Sequence, residues 1–393
     1  MEQWKEYKLG DVVTMKNGKK RPREEGPYPV YGGNGVMGYV NSYNAENAII
    51  VGRVGAYCGN VYYCEKQCWV SDNAIFVKSK NGYNTVFLYY LMKTLNLHNL
   101  HIGGAQPLMT QDIISIFDIK MPSLLIQDKI ASILLSFDRK IKTNQQINSN
   151  LEEQAKALFK SWFIEFEPFK GGKFVDSELG RIPEGWKVGH YSDIIDETIG
   201  GDWGKDSPIG NYNHKVVCIR GCDFQTIKNG IIGNAPIRYI LEKNFEKKSF
   251  HENDILVEIS GGTQTVSTGR VCYVSQTLIN RFKGDIICTN FCRILRPSSR
   301  FSAYLYYSWL YKYSHRVMFA FENGTSGIKN FRIKDFIDLE PVLIPPVKVV
   351  DRYQQIVDEL HKQMQIRGLE MNTLASLRDT LLPKLMSGEL AIK

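Results

Sequence analysis

The chain has 393 residues, 43% hydrophobic and 23% charged, which suits two to four globular domains and excludes a disordered or collagenous polypeptide. Its 49 Lys and Arg against 41 Asp and Glu leave a net charge of +8, a modest pointer to a polyanionic partner. The start, Met1-Glu2-Gln3-Trp4-Lys5-Glu6, lacks the apolar core of a signal peptide, and no apolar run approaches the roughly 18 residues of a membrane span; a soluble, cytoplasmic protein without membrane contact is expected.

Residues 1–121 read as a first mixed α/β domain. Apolar runs at 48–51 and 74–77 are strand-like, and 85–97 is helical. Lys16, Lys19, Lys20, Arg21 and Arg23 crowd one turn-rich stretch. Arg53 and Tyr57 follow a strand-like run beside Gly55, and Gln106 sits in the Gly-rich loop 101–107. Lys suits phosphate, Arg suits guanine and Gln suits adenine, so these are candidate DNA contacts. Tyr89 and Tyr90 could stack on bases, but aromatics at helical spacing read as core.

Residues 122–165 read as one long helix. Ile130, Leu134, Phe137, Ile141, Asn144, Asn148, Leu151, Ala155, Leu158 and Trp162 follow alternating steps of four and three, the seam of a coiled coil. No Pro or Gly interrupts it after Pro122, so it should run about 60 Å. A turn-rich linker is expected at 166–185. A second mixed domain follows at 186–343, with strand-like runs at 216–219, 255–259 and 286–287 and a helical stretch at 303–318 carrying Tyr306 and Tyr307. Its candidate DNA contacts are Arg220, Gln264, Thr265, Arg270, Lys329, Asn330 and Arg332. Residues 344–393 supply a second long helix with the seam Tyr353, Val357, Leu360, Met364, Arg367, Met371, Leu374, Arg378, Leu381 and Leu385. Gly368 is its expected weak point, at about 1 kcal/mol relative to Ala. Asn144, Asn148 and Arg367 read as polar seam residues that fix register.

The chain repeats itself. Residues 122–163 align without a gap on 345–386, a shift of 223, which carries Asp128 onto Asp351 and Leu158 onto Leu381. Trp4-Lys5 and Asp11 recur at Trp186-Lys187 and Asp193, a shift of 182. The 41-residue difference lies between start and helix. There, Asn47-Ala-Ile-Ile-Val echoes Asn253-Asp-Ile-Leu-Val, Phe87-Leu-Tyr-Tyr echoes Tyr304-Leu-Tyr-Tyr, and the rest differs. Like ends around unlike middles describe one scaffold carrying two specificities.

Cys64/Cys68, Cys218/Cys222 and Cys288/Cys292 share one spacing, which reads as small apolar residues on one strand face rather than a metal site. The chain contains no Gly-x4-Gly-Lys-Ser/Thr, no dinucleotide-binding frame, no methyltransferase Asn-Pro-Pro-aromatic motif and no Ser/His/Asp constellation. No catalytic residue and no metal ligand is therefore assigned. A stand-alone DNA-modifying enzyme with unrecognised motifs and a coiled-coil scaffold that never touches DNA remain as alternatives.

Several short motifs occur in a specific order. They are Trp4-Lys-x3-Leu-Gly-Asp11, Tyr28-Pro-Val-Tyr-Gly-Gly-Asn-Gly35, Ile50-Val-Gly-Arg-Val-Gly55, Trp69-Val-Ser-Asp-Asn73, Ile119-Lys-Met-Pro122 with Gln127, Pro183-Glu-Gly-Trp186, and Leu382-Pro-Lys-Leu-Met-Ser-Gly-Glu-Leu390. In this order the chain resembles, over essentially its whole length, the specificity subunit (HsdS) of type I restriction–modification systems. It departs at Ser123 and Ile126, where the family often has Pro and Glu, and at Val350, opposite Gln127. The resemblance implies an α+β fold: two globular α/β target recognition domains joined by two long helices packed as an antiparallel coiled coil, with a pseudo-twofold repeat. It also implies that each domain reads one half of a bipartite, asymmetric target. The helices would set the spacer and dock two modification subunits that methylate adenine at N6. The implied partners are double-stranded DNA, the modification subunits and, where present, restriction subunits. No cofactor is implied for this chain; S-adenosylmethionine, ATP and Mg would serve the partners.

Overall fold

The computed structural model describes residues 4–100, 107–263, 265–298, 300–324, 328–390 and 392. These form two compact units, one of residues 1–140 with 374–393, the other of residues 141–373. The division falls inside both long helices, because each helix buries one stretch of its length in each unit.

The first unit contains β1 (Lys5–Lys8), β2 (Val13–Asn17), β3 (Tyr28–Gly32), β4 (Gly35–Val40), β5 (Ala45–Gly52), β6 (Val61–Val70), β7 (Ala74–Ser79) and β8 (Asp118–Met121). Six of them make a sheet in the order β2-β7-β5-β6-β3-β4, in which β3 and β6 are parallel and the other neighbours antiparallel. The unbroken apolar run of β5 has a physical reason: both of its faces are covered. Ile49 and Val51 pack with Ile75, Val77 and the helix Thr85–Thr94, whose first turn is capped by the Asn84 side chain. Ala48 and Ile50 pack with Cys64, Cys68 and Val70 on the other face. Ile130, Ala131 and Leu134 of one long helix and Leu385 and Met386 of the other complete the first of these cores.

The second unit contains β9 (Phe174–Ser177), β10 (Gly180–Pro183), β11 (Lys187–His190), β12 (Ile195–Gly200), β13 (Tyr212–Ile219), β14 (Ile237–Leu241), β15 (Ile255–Glu258), β16 (Ser260–Gly261), β17 (Val271–Tyr273), β18 (Asp285–Cys288), β19 (Cys292–Pro297), β20 (Glu322–Asn323), β21 (Lys329–Phe331) and β22 (Pro341–Ile344). Its sheets run β12-β19-β15-β17, β14-β13-β18 and β16-β21-β20. Here too the central strands serve two cores. Ile255, Val257 and Leu295 face an aromatic cluster with Phe163, Trp186, Tyr304, Trp309 and Tyr353; Leu256 and Ile294 face the opposite side. Residues 166–185 carry the β9–β10 hairpin, and Ile182 joins the aromatic cluster.

The internal repeat is visible in hydrogen-bond register. β1 pairs antiparallel with β8, Lys5 opposite Met121, and β11 pairs antiparallel with β22, Lys187 opposite Ile344. The shifts of 182 and 223 carry one pairing onto the other. Asp11 accepts from the backbone N–H of Lys8 (3.3 Å), and Asp193 accepts from that of His190 (2.8 Å). Asn47 and Asn253 are both left-handed, with φ of 45° and 74°, and each amide oxygen accepts a tyrosine hydroxyl, from Tyr63 and Tyr273 respectively. The buried Tyr90 donates to Asp138 (2.5 Å), and Tyr307 lies 2.8 Å from His361, the residue 223 positions beyond Asp138. The tyrosine pairs are thus mainly core: Tyr90, Tyr306 and Tyr307 are buried.

The long helices are Leu124–Phe163 and Val347–Met386, 40 residues each and so about 60 Å. Within the first unit, Arg378 reaches Asp138. Within the second, Asn144 donates to Glu370 (2.8 Å), Asn148 to the Met364 carbonyl (3.0 Å), and Tyr353 to the Ala155 carbonyl (3.4 Å). In every pair one number rises as the other falls, so the helices run antiparallel. Ile130, Leu134, Asn144, Asn148, Tyr353, Val357, Met364 and Met371 are buried, while Phe137, Ile141, Leu151, Leu158, Leu360, Leu374 and Leu381 are half-buried.

Two expectations about the second helix need correcting. Arg367 does not reach across; it donates to the carbonyl and side-chain oxygens of Gln363 in its own helix. The heptad count missed that this helix buries further residues, His361 against Tyr273, Tyr306 and Tyr307, and Gln365 and Gly368 against the loop around residues 228–230. Gly368 is accordingly a contact rather than a flaw: a Cβ there would lie 2.2 Å from Gly230 Cα. The change from Gln127 to Val350 is also accommodated. Gln127 takes the Asn84 N–H (3.0 Å); in the second unit Gln354, one turn beyond Val350, takes the Ala303 N–H (2.7 Å). Among the described residues, no helix is long and apolar enough to cross a membrane.

Candidate nucleic-acid interface

In each unit, loops meet at one end of a sheet through glycine-tight contacts. In the first, Gly18 packs so closely that a Cβ would lie 2.0 Å from the Ser71 carbonyl oxygen, and a Cβ on Gly52 would lie 2.1 Å from that of Tyr57. In the second, Gly201 makes the matching approach to Thr289, at 2.0 Å. Only glycine permits such contact between backbones.

These contacts position the basic stretch of the first unit. The Lys19 N–H donates to the Val70 carbonyl (3.0 Å), and the Lys19 carbonyl accepts from the Trp69 indole (3.1 Å). Lys16, Lys19, Lys20 and Arg23 are exposed, with no carboxylate partner among the described residues. Arg21 differs. Its guanidinium forks onto the carbonyls of Met37 and Tyr39 (both 3.4 Å), so it braces the edge strand β4. Arg53 is half-buried and reaches the Asp72 carbonyl (3.5 Å), and Tyr57 is 47% exposed. Sequence reading missed the exposed apolar residues alongside: Val36, Met37 and Tyr39 on β4, and Tyr43. Their signal was a strand pattern with apolar residues on an edge.

The second unit holds its cations differently. Arg220 forks onto Asp223, through Nε and Nη2 at 2.9 Å each, with a further bond to the Asn234 carbonyl. Burial works against ionisation of Asp223, yet this guanidinium and the Arg220 N–H hold its carboxyl below the usual range. Arg270 forks onto the buried Glu258, through Nε (2.8 Å) and Nη2 (2.5 Å). Lys329 pairs with Glu322 (2.8 Å) beside the Phe319 ring. Burial again opposes ionisation of Glu322, but bonds from Lys329 and Thr268 lower its pKa. Arg332 is held between Asp335 (2.5 Å) and the Ala320 carbonyl (3.0 Å). Asn330 and Thr265 are exposed. Gln106 and Gln264 lie outside the described residues. Glu258 and Glu322 were not foreseen, because both partners are tertiary. Arg220–Asp223 and Arg332–Asp335 are three apart and could have been read as local pairs.

The cysteines are mostly packing. Cys64, Cys68, Cys218, Cys288 and Cys292 are buried in apolar clusters, and Cys222 is exposed. Only Cys64 and Cys68 share a strand; the other two pairs flank turns, which corrects the expectation of one strand face for all three. Burial pushes the Cys218 thiol up to about 12, so it stays protonated.

Comparison with known proteins agrees with this architecture. The family profile described as "Type I restriction modification DNA specificity domain" matches residues 1–153. The chain is 28% identical over 330 residues to the type I restriction enzyme MjaIX specificity subunit of Methanocaldococcus jannaschii, covering 80% of this chain and 71% of that one. It is 22% identical over 339 residues to the HindI specificity subunit of Haemophilus influenzae, covering 73% and 72%. Among solved structures, the type I restriction–modification S subunit from M. genitalium superposes with a TM-score of 0.59 at 17% identity, over 100% of this chain and 97% of that one, a likeness of fold. The twofold internal register and the paired long helices thus belong to a chain that is similar, over most of its length, to type I restriction enzyme specificity subunits.

Proposed function

We propose that the chain is the DNA-recognition subunit of a type I restriction–modification complex and has no catalytic activity of its own. Residues 1–121 and 186–343 act as two target recognition domains, each reading one half of a bipartite, asymmetric sequence. The helices at 122–165 and 344–393 set the unspecified spacer and dock two modification subunits, and residues 166–185 join the halves. The modification subunits use S-adenosylmethionine to methylate adenine at N6; a restriction subunit, where present, uses ATP and Mg.

One observation carries this reading: the same strand register and the same tyrosine docking recur in both units, while the loops and cations at their ends differ. A repeated frame with unlike ends is what two readers of different half-sites require. In the first unit, Lys16, Lys19, Lys20 and Arg23 supply phosphate contacts, Arg53, Gln106 and Tyr57 are candidates for base contact, and Arg21 braces the edge strand. In the second, the candidates are Arg220, Gln264, Thr265, Arg270, Lys329, Asn330 and Arg332. The test is methylome sequencing of cells expressing the chain with its modification partner. Exchanging residues 1–121 for those of a relative should change one half of the methylated motif and leave the other. Change in both halves, or in neither, refutes the two-reader assignment.

A further inference from the structure

The candidate arginines of the second unit are not equivalent. Arg332 has both terminal nitrogens engaged, one by Asp335 and the other by the Ala320 carbonyl. Arg220 shares Nη2 between Asp223 and the Asn234 carbonyl. Arg270 is bound on one edge only: Glu258 takes Nε and Nη2, and among the described residues nothing takes Nη1. Its side chain is 42% exposed, whereas that of Glu258 is 5% exposed.

Glu258 occupies a space the backbone leaves for it. A Cβ on Gly221 would lie 2.5 Å from Glu258 Oε1, and one on Gly261 would lie 2.9 Å away. Two glycines therefore wall the carboxylate, and a side chain at either position would displace it. The stem of Arg270 is fixed as well. Glu258 N–H donates to the Arg270 carbonyl, and Gly269 N–H donates to the Glu258 carbonyl (2.9 and 3.0 Å). The Trp309 indole donates to the Gly269 carbonyl (2.8 Å), Tyr313 to the Ser267 carbonyl (3.0 Å), and the Thr268 N–H and hydroxyl both donate to the buried Glu322. Both ends of the arginine side chain are thus positioned without any ligand present.

We propose that Glu258 is a positioning residue for base reading. By holding the Nε–Nη2 edge of Arg270, it presents the outer, Nη1-bearing edge to the N7 and O6 of a guanine in the half-site read by the second unit. The chemistry favours guanine. A guanidinium has donors only, guanine presents two adjacent acceptors in the major groove, and adenine replaces one of them with an amino donor. A carboxylate on the inner edge also removes the rotamer freedom that an exposed Arg would lose on binding. This proposal rests on the recognition function above and adds to it the residue and the base.

The test uses the full chain in its complex with the modification subunits and reads the methylated motif. The wild-type motif must contain guanine in the half that survives exchange of residues 1–121. Glu258→Gln keeps the shape and removes the charge. It should relax discrimination at one guanine position about tenfold or more, adenine entering first, with all other positions unchanged. Arg270→Lys keeps the charge and loses the fork, so it should relax the same position. Glu258→Gln combined with Arg270→Ala should be no worse than Arg270→Ala alone. The proposal is overturned by a wild-type half-site without guanine, or by a Glu258→Gln chain that lowers methylation evenly at all sites. If Glu258→Gln does not fold, Arg270→Lys decides by the same readout. Failure of the wild-type complex to methylate any bipartite motif would instead refute the recognition function itself.

Discussion

The two units build the same frame and arm it differently. In the first, Lys16, Lys19, Lys20 and Arg23 stand in solvent without a carboxylate among the described residues. In the second, Arg220, Arg270, Lys329 and Arg332 are each held by one. A loose lysine follows any phosphate, so it contributes affinity with little sequence information; a held arginine presents one edge in one direction. The frames differ too at their shared tyrosine. Tyr90 meets Asp138, which is charged against Arg378, whereas Tyr307 meets His361. Ala155 stands where the repeat would place the counterpart of Arg378. One anchor is ionic and the other neutral.

The largest test of that contrast is Asp138→Ala. It removes the acceptor of the buried Tyr90 and one of the two carboxylates on Arg378, whose Nε and Nη2 stay on Asp379; it should lower stability by about 2 kcal/mol in thermal unfolding. A loss of a few tenths would mean that the ionic anchor carries no weight. The neutral anchor should show itself through pH. Burial lowers the pKa of His361 to about 4, with nearby Glu152 opposing and Lys228 assisting the shift. Below about pH 6.5 the unfolded chain binds a proton that the folded chain refuses. The stability contribution is therefore intact above pH 6.5 and lost as pH falls towards 4, amounting to about 2 kcal/mol at pH 5. His361→Gln should flatten that part of the pH–stability curve, and an unchanged slope would contradict the assignment. Gly368→Ala, stabilising by helix propensity alone, should instead cost about 1.5 kcal/mol, because its methyl group meets Gly230; a raised melting temperature would show that the loop yields. The smallest effects separate the cations. Lys19→Ala and Lys20→Ala should each weaken binding of the assembled complex to all DNA sequences and reduce the log–log salt slope by about 1, while Arg332→Ala leaves the slope unchanged.

Which of these features the sequence discloses follows from their range. The internal repeat and the two long helices were legible because they depend on spacing, and spacing survives in both copies, where Lys5 pairs with Met121 and Lys187 with Ile344; the antiparallel pairing came from the family resemblance alone. The cation states were not legible, because Glu258 and Glu322 meet Arg270 and Lys329 through tertiary folding rather than helical periodicity. Gly368 was misread for a related reason. A propensity scale prices a residue against solvent, and this one lies against another backbone. Arg21 looked like a free cation because nothing local reveals the carbonyls of an edge strand 16 and 18 residues away.

The paired strands β1–β8 and β11–β22 clasp each variable segment at its neck. Between Lys8 and Asp118 lie 109 residues, and between His190 and Pro341 lie 150. The chain-closure entropy of a loop grows only with the logarithm of its length, so the longer segment is penalised by about 0.3 kcal/mol relative to the shorter. At the neck, insertion is nearly free. The clasp sets how a segment is attached and leaves its size open, so a reader can gain or lose whole loops without renegotiating its junction with the helices.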